Sequence, residues 1–214
     1  MATILSRRGY KVIKKHHSPT KLSKVKKELC VKPYSPFNTG FDNVKSFNVY
    51  LENHKKLYLP KHYGIKMFGE PEIVDFCEGN DIDIEFNGSM REEQQLVVDK
   101  YMQSVESKGG GLISLPCGAG KTVIALKIIS LIKKKTIILV HKDFLMNQWY
   151  DRIKQFLPEA RIGKIQQNTV DIEGKDIVLA MVQSISMKEY DEGTFDSFGL
   201  AIFDECHNLG AGVF

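Results

Sequence analysis

The chain has 214 residues, 43% of them hydrophobic and 26% charged, with 17 Gly and 7 Pro. That composition excludes a wholly disordered or fibrous protein and leaves room for one well-buried domain plus an accessory segment. The net charge of +4 conceals an asymmetry: residues 1–60 carry 13 Lys and Arg against Glu28, Asp42 and Glu52, a net of +10, while the remainder carries 17 basic and 23 acidic residues, a net of −6.

The four cysteines, Cys30, Cys77, Cys117 and Cys206, form no C-x-x-C pair. This argues against a zinc knuckle or a disulfide framework and for a reducing intracellular compartment, cytoplasm or nucleus. The first eight residues hold no apolar signal core, and no apolar run reaches the ~18 residues of a membrane span. A soluble protein with no membrane partner is expected.

Residues 1–85 read as a small basic α+β accessory domain. Segments 46–51 and 56–59 have strand-like alternation, interrupted by Pro33, Pro36, Pro60 and Pro71. The excess of cations is the footprint of phosphate-backbone contact, and equally of a solvated basic tail. In Lys55-Lys-Leu-Tyr-Leu-Pro-Lys-His-Tyr63 the aromatic residues either stack bases beside cations or close a small core.

Residues 81–89 read as an acidic edge strand entering a turn. Ser89 and Glu92 fit a capping box for a helix over 90–105. A short apolar strand is predicted at 111–115 and a helix at 121–132, with Val123, Leu126, Ile128, Ile129 and Ile132 available to a buried face. Thr136 to Val140 is a strand and Asp143 to Phe156 a helix ending before Pro158; further strands fall at 162–165, 176–182 and 199–203. Near-continuous Ile/Val/Leu strands separated by helices predict an α/β fold over residues 86–214, a parallel sheet with helices on both faces.

Two segments carry the chemistry. In Leu115-Pro-Cys-Gly-Ala-Gly-Lys-Thr122 a glycine-rich turn between strand and helix turns backbone N–H groups of Pro116 to Gly120 toward a nucleotide's phosphates, apart from proline, which has none. Gly118 and Gly120 supply backbone freedom, Cys117 and Ala119 complete the loop, Lys121 would contact the β- and γ-phosphates, and Thr122 would place its hydroxyl on Mg²⁺. The pattern G-x-x-x-x-G-K-[ST] is not met at its first position, which is Leu115. In Leu200-Ala-Ile-Phe-Asp-Glu-Cys-His207 four apolar residues deliver Asp204 and Glu205 to the carboxyl end of a strand, where open α/β sheets bind ligands. There Asp204 would hold the metal and Glu205 would orient and deprotonate water. Together the segments imply an ATPase.

Asp204-Glu-Cys-His207 resembles the D-E-x-H box of superfamily 2 helicases. Leu-Pro-Cys-Gly-Ala-Gly-Lys-Thr resembles the first motif in the branch that holds the eukaryotic excision-repair helicase and the related helicases of large DNA viruses, where the first position is commonly not glycine. Arg91-Glu-Glu-Gln94 resembles that family's adenine-recognition element, which implies Gln94 on the adenine edge. Val140-His-Lys-Asp-Phe-Leu-Met-Asn-Gln-Trp149 is similar to a nucleic-acid-contacting segment, implying His141 and Lys142 as contacts, with Trp149 packed on the sheet. Gln183 falls where a further strand-contacting motif lies, and His207 is implied to couple nucleotide state to the bound strand.

The resemblance implies a P-loop NTPase (RecA-like) lobe at 86–214, truncated after Asp-Glu-Cys-His, and an ATP-dependent helicase or translocase with ATP and Mg²⁺ as cofactors. Nucleic acid, DNA more than RNA, and a second RecA-like lobe absent from this chain are the implied partners. A viral setting is compatible. Two alternatives stay open: an ATP- and nucleic-acid-binding module without turnover of its own, and an N-terminal piece of a restriction-type motor subunit.

Overall fold

The computed structural model describes residues 3–32 and 46–206, in two compact units that divide after Phe76. His207, the expected coupling residue, lies outside the described residues.

In the first unit, β1 (Ile4–Ser6), β2 (Gly9–Ile13), α1 (Pro19–Glu28), β3 (Cys30–Val31), β4 (Phe47–Asn48), β5 (Leu51–Glu52), β6 (Lys56–Leu59), α2 (Lys61–Phe68) and β7 (Ile73–Asp75) follow in turn. The main sheet runs β5-β6-β2-β1-β7, and β3 pairs with β4 separately. Segment 46–51, expected as one strand, is two short ones separated by a bend. Alternation sends Tyr10, Val12, Leu57 and Leu59 inward, onto Val25 and Leu29. Helix α2 lies so close that a Cβ on Gly64 would stand 2.3 Å from the Tyr10 side chain. The interleaved aromatics divide. Tyr63 packs on the core and donates to Glu28, and burial together with that carboxylate pushes its phenol up to about 12. Tyr58 points the other way, with the Arg8 guanidinium 6.0 Å from its ring centroid. Glu52 accepts from both Lys14 and Lys26, which hold its carboxyl below the ordinary range.

The second unit is built on α3 (Glu92–Lys108), α4 (Lys121–Ile132), β8 (Thr136–Val140), α5 (Asp143–Phe156), β9 (Ile162–Gln166), β10 (Thr169–Val170), β11 (Ile177–Met181), α6 (Val182–Ser186) and β12 (Leu200–Phe203). The sheet order is β10-β9-β11-β8-β12, parallel throughout except for β10. Strands β8 and β11 are buried almost end to end because both faces are covered. Ile138, Val140, Ile177 and Leu179 meet Leu126 and Ile129 of α4 and Met146, Trp149 and Ile153 of α5. Ile137, Leu139, Val178 and Ala180 face the segment carrying Tyr190, Phe195 and Phe198. Helix α4 is buried on two sides, since Ile124 and Ile128 pack on Val98 of α3.

Three local expectations are corrected. Residues 81–89 form no strand: Ile82 and Ile84 turn into the core of the second unit while Asp83 and Asp81 pair with Lys133 and Lys134, and a single bridge, Asp81 to Lys134, is made. The strand-like alternation is real, but it serves packing beside the end of α4 rather than a ladder. The first helix begins after Arg91, not Ser89, and the side chain that reaches back to the cap N–H is Gln94, not Glu92. Residues 111–115 are not paired into the sheet; Ile113 and Leu115 pack on the α3–α4 cluster and Leu112 is 75% exposed. Gly109 and Gly110, with φ of 76° and 154°, turn the chain out of α3, where the Gly109 N–H donates to Val105 O and Gly110 O accepts from the Ser104 hydroxyl, each at 2.7 Å.

At the end of the sheet opposite the site, Asp176 fixes the start of the β9–β11 pair. Its carboxylate accepts from the Arg161 N–H, Nε and Nη2 at 2.8, 2.9 and 2.7 Å. Burial pushes the Asp176 carboxyl up, but the Arg161 hydrogen bonds and the Arg161 and Lys135 charges outweigh this and leave it below its ordinary value. A depressed carboxylate stabilises the fold above its unfolded value of about 3.9 and loses that contribution as pH falls through the folded value. Asp176→Ala should therefore cost about 1–3 kcal/mol at pH 7, the scale of hydrogen bonds made to a charged group, with the exposed Arg161 guanidinium returned to water. Urea unfolding of both proteins at pH 7 and at progressively lower pH should show the gap shrinking below the ordinary aspartate range.

Candidate functional site

Parallel pairing places the carboxyl ends of β8, β11 and β12 on one side, so His141 and Lys142, Gln183, and Asp204 and Glu205 leave the sheet there together. The Asp204 N–H donates to Leu139 O at 3.0 Å, extending the β12–β8 ladder by one bond and fixing where the acid begins. Glu205 follows at φ 54°, a left-handed conformation rare for a side-chain-bearing residue.

A cleft of about 500 Å³ lies between this strand end and residues 111–115. Lys121, Thr122, Trp149, Asp204, Glu205 and Cys206 line it, so both motifs face one space.

The loop from Pro116 to Gly120 closes on α4, whose first turn has no side-chain cap and no acid. A helix start normally finds an oxygen acceptor for its N–H groups. Here those donors and the dipole's positive end, next to Lys121, are left for an anion. Gly118 and Gly120 have φ of 80° and 86°, and Cys117 and Gly118 are exposed. The Lys121 ammonium donates to Leu115 O at 3.0 Å and Pro116 O at 3.5 Å, folded over its own loop.

Gln94 occupies the back of the loop, 7% exposed. Its Oε1 accepts from the Arg91 N–H at 3.1 Å and its Nε2 donates to Ala119 O at 3.0 Å; Arg91 Nη2 donates to the same carbonyl at 3.0 Å. The amide thus keeps one donor and one acceptor for a ligand. The clamp by Arg91 was not legible in the sequence beyond the four-residue spacing of its motif.

His141, Lys142 and Gln183 form a second group beside the cleft but outside its lining. Gln183 Nε2 donates to His141 O at 3.1 Å, and Lys142 occupies the N-cap position of α5 without a side-chain cap bond, its ammonium 5.8 Å from the Phe144 ring centroid. The His141 Nδ1 is buried without a hydrogen-bond partner. Trp149 packs on the sheet as expected, and in addition its Nε1 donates to Asp204 Oδ2 at 2.8 Å.

Among the described residues no cluster of three or more His, Cys, Asp or Glu could hold a metal by itself. The donor set still fits Mg²⁺ carried by a nucleotide, which keeps waters and phosphate oxygens and takes only one or two protein oxygens. Thr122 and Asp204, on opposite walls of one cleft, supply that number.

A glycine-rich loop on an uncapped helix start, facing paired acids across the carboxyl end of a parallel sheet, defines a P-loop nucleotide-binding lobe of the RecA-like class. The family model described as "Type III restriction enzyme, res subunit" matches residues 87–213, and the chain belongs to that family. It is 36% identical over 213 residues to a protein of Acanthamoeba polyphaga mimivirus named putative ATP-dependent RNA helicase L396, covering 98% of this chain and 41% of that one. It is 38% identical over 99 residues, 46% of this chain and 21% of the relative, to the DNA 3'-5' translocase XPB2 of Sulfurisphaera tokodaii. The chain therefore spans less than half the length of these relatives. The Sulfolobus solfataricus SWI2/SNF2 ATPase core in complex with dsDNA aligns with TM-score 0.48 and 16% identity, over 62% of this chain and 29% of that one.

Gly120→Ala tests the loop. A Cβ there would fall 2.3 Å from Gln94 Nε2, an atom pinned by its bond to Ala119 O, and φ of 86° disfavours any side chain. Strain of about 1–3 kcal/mol placed on the loop should weaken a fluorescent ATP analogue by about tenfold or more. Unchanged circular dichroism with that loss is the expected pair of results.

Proposed function

We propose that the chain is the ATP-binding lobe of a superfamily 2 helicase or translocase, in which ATP hydrolysis drives movement along or opening of nucleic acid in the complete enzyme. The observation that supports this most is the single cleft shared by Lys121, Thr122, Asp204 and Glu205. On ATP binding the Lys121 ammonium exchanges the Leu115 and Pro116 carbonyls for β- and γ-phosphate oxygens, while the loop N–H groups and the α4 start hold the phosphates. Gln94 reads adenine with its remaining donor and acceptor while its Ala119 bond ties the base to the loop. Thr122 and Asp204 would hold Mg²⁺, which when bound neutralises phosphate charge. Glu205 orients water and takes its proton as the water oxygen attacks the γ-phosphorus; the bond to the β–γ bridging oxygen breaks, leaving ADP and phosphate.

His141, Lys142 and Gln183 serve as nucleic-acid contacts, and the basic first unit, which divides from the second after Phe76 rather than at residue 85, serves as an accessory domain that adds phosphate-backbone affinity. His207 links the two events. DNA is the substrate favoured over RNA, although the relatives' names divide between them. No helix among the described residues is long and apolar enough to cross a membrane, and four widely spaced cysteines with no C-x-x-C pair suit a reducing compartment in a cell or an infected cell.

One observation favours a second reading, a binding module without turnover of its own. The described lining of the cleft has Lys121 as its one cation and no arginine. Arginine fingers are worth about 10³–10⁵ in rate where present, and a second lobe is the expected source.

The test is binding and turnover with and without single-stranded DNA. Lys121→Ala should abolish binding of a labelled ATP analogue with the fold intact, and turnover should be slow until a second lobe is supplied. Equal binding by the variant would overturn the site; undetectable turnover with the second lobe present would leave the binding module as the correct reading.

A further inference from the structure

We propose that Trp149 is a positioning residue for Asp204: the indole N–H fixes one carboxylate oxygen, so that the other is the one presented to the nucleotide's metal. This rests on the reading of Asp204 as the metal-side acid of the nucleotide site. The two residues are 55 apart in sequence and meet through an Nε1 to Oδ2 hydrogen bond of 2.8 Å.

The donor is rigid. Trp149 is 4% exposed and sits on the buried face of α5 with Met146 and Ile153, one turn away on either side, so the ring is fixed by packing on β8 and β11 rather than by the bond. The acceptor is less constrained. Asp204 is the first residue past β12, held by its own N–H on Leu139 O, and the chain turns left-handed at Glu205 immediately after. Without a partner, an aspartate at a strand end has free χ1 and χ2 wells. An indole N–H is a donor only, so it engages one carboxylate oxygen as acceptor and leaves the other uncommitted by that bond. Both residues line the same cleft as Thr122. Groups that orient metal-holding ligands in this way change metal affinity by about 10- to 100-fold when removed.

A structural role alone, in which Asp204 merely satisfies a buried indole, makes a different prediction. Trp149→Phe keeps a ring in the core and removes the donor. In the full chain, positioning predicts that the apparent affinity for Mn²⁺ in the presence of an ATP analogue, read by electron paramagnetic resonance, falls about 10-fold or more, while metal-free analogue binding stays unchanged. A loss of thermal stability with unaltered Mn²⁺ affinity would overturn the proposal.

Trp149 is the one tryptophan in the sequence. Its indole ¹⁵N–¹H resonance is therefore a single peak in the unmodified protein, and this measurement does not depend on a variant folding. Positioning predicts that the peak moves when Mg²⁺ is added to the analogue-bound chain and moves less with the analogue alone. A peak indifferent to Mg²⁺ in the analogue-bound chain would contradict it. Failure of the analogue to bind at all would instead overturn the underlying site, and the inference with it.

Discussion

The pairing of β12 along β8 is the constraint on which the site depends. Phe203 lies opposite Leu139, and the ladder's last bond, Asp204 N–H to Leu139 O, delivers the acid to the sheet's carboxyl end at a defined height. A one-residue slip would reverse every side chain of β12 and turn Asp204 away from the cleft. Because β8 also pairs with β11 in parallel register, the same strand sets the position of Gln183, whose amide meets His141 O. Helix α5, which follows β8, then brings Trp149 back under Asp204. One strand thus coordinates the acid, its indole partner and the neighbouring group of polar residues.

The other wall of the cleft is held by polar bonds rather than by a ladder. Arg91 and Gln94, at the start of α3, converge on Ala119 O, so the loop at 116–120 is tied to a helix that begins 26 residues before Gly118. Lys121 lies over its own loop carbonyls and the start of α4 has no acceptor of its own. The backbone is left-handed at Gly118 and Gly120 in the loop and at Glu205 past the strand end. Glycine adopts that conformation freely, whereas at Glu205 it costs free energy and persists because the surrounding structure imposes it.

The strands and helices of the second unit were legible where one local signal ruled. Helices α4 and α5 and strand β8 begin and end where the apolar runs and Pro158 place them, because continuous Ile/Val/Leu at β8 has no use other than burial on both faces. Residues 111–115 have a similar apolar character, yet strand formation requires an adjacent backbone, and no local pattern states whether one is available. The alternation at 81–89 suggests an acidic edge strand, but it turns Ile82 and Ile84 into the core while the solvent-exposed Asp83 and Asp81 pair with Lys133 and Lys134 at the end of α4, with no adjacent backbone to form a ladder. Motif spacing located Lys121, Thr122, Asp204 and Glu205; it could not reveal that Trp149, visible only as a core aromatic, would contact Asp204. Such a contact depends on the crossing of α5 over two strands distant in sequence.

On the proposed reading, the loop at 116–122 and the acids at 204 and 205 serve a single nucleotide. A crystal structure of the chain with a non-hydrolysable ATP analogue and Mn²⁺ tests it most directly through the metal's anomalous signal. One metal peak is expected between the Thr122 hydroxyl and the Asp204 carboxylate, against the analogue's phosphates, with Lys121 moved off the Leu115 carbonyl. A nucleotide bound elsewhere, or a metal peak remote from Asp204, would contradict it.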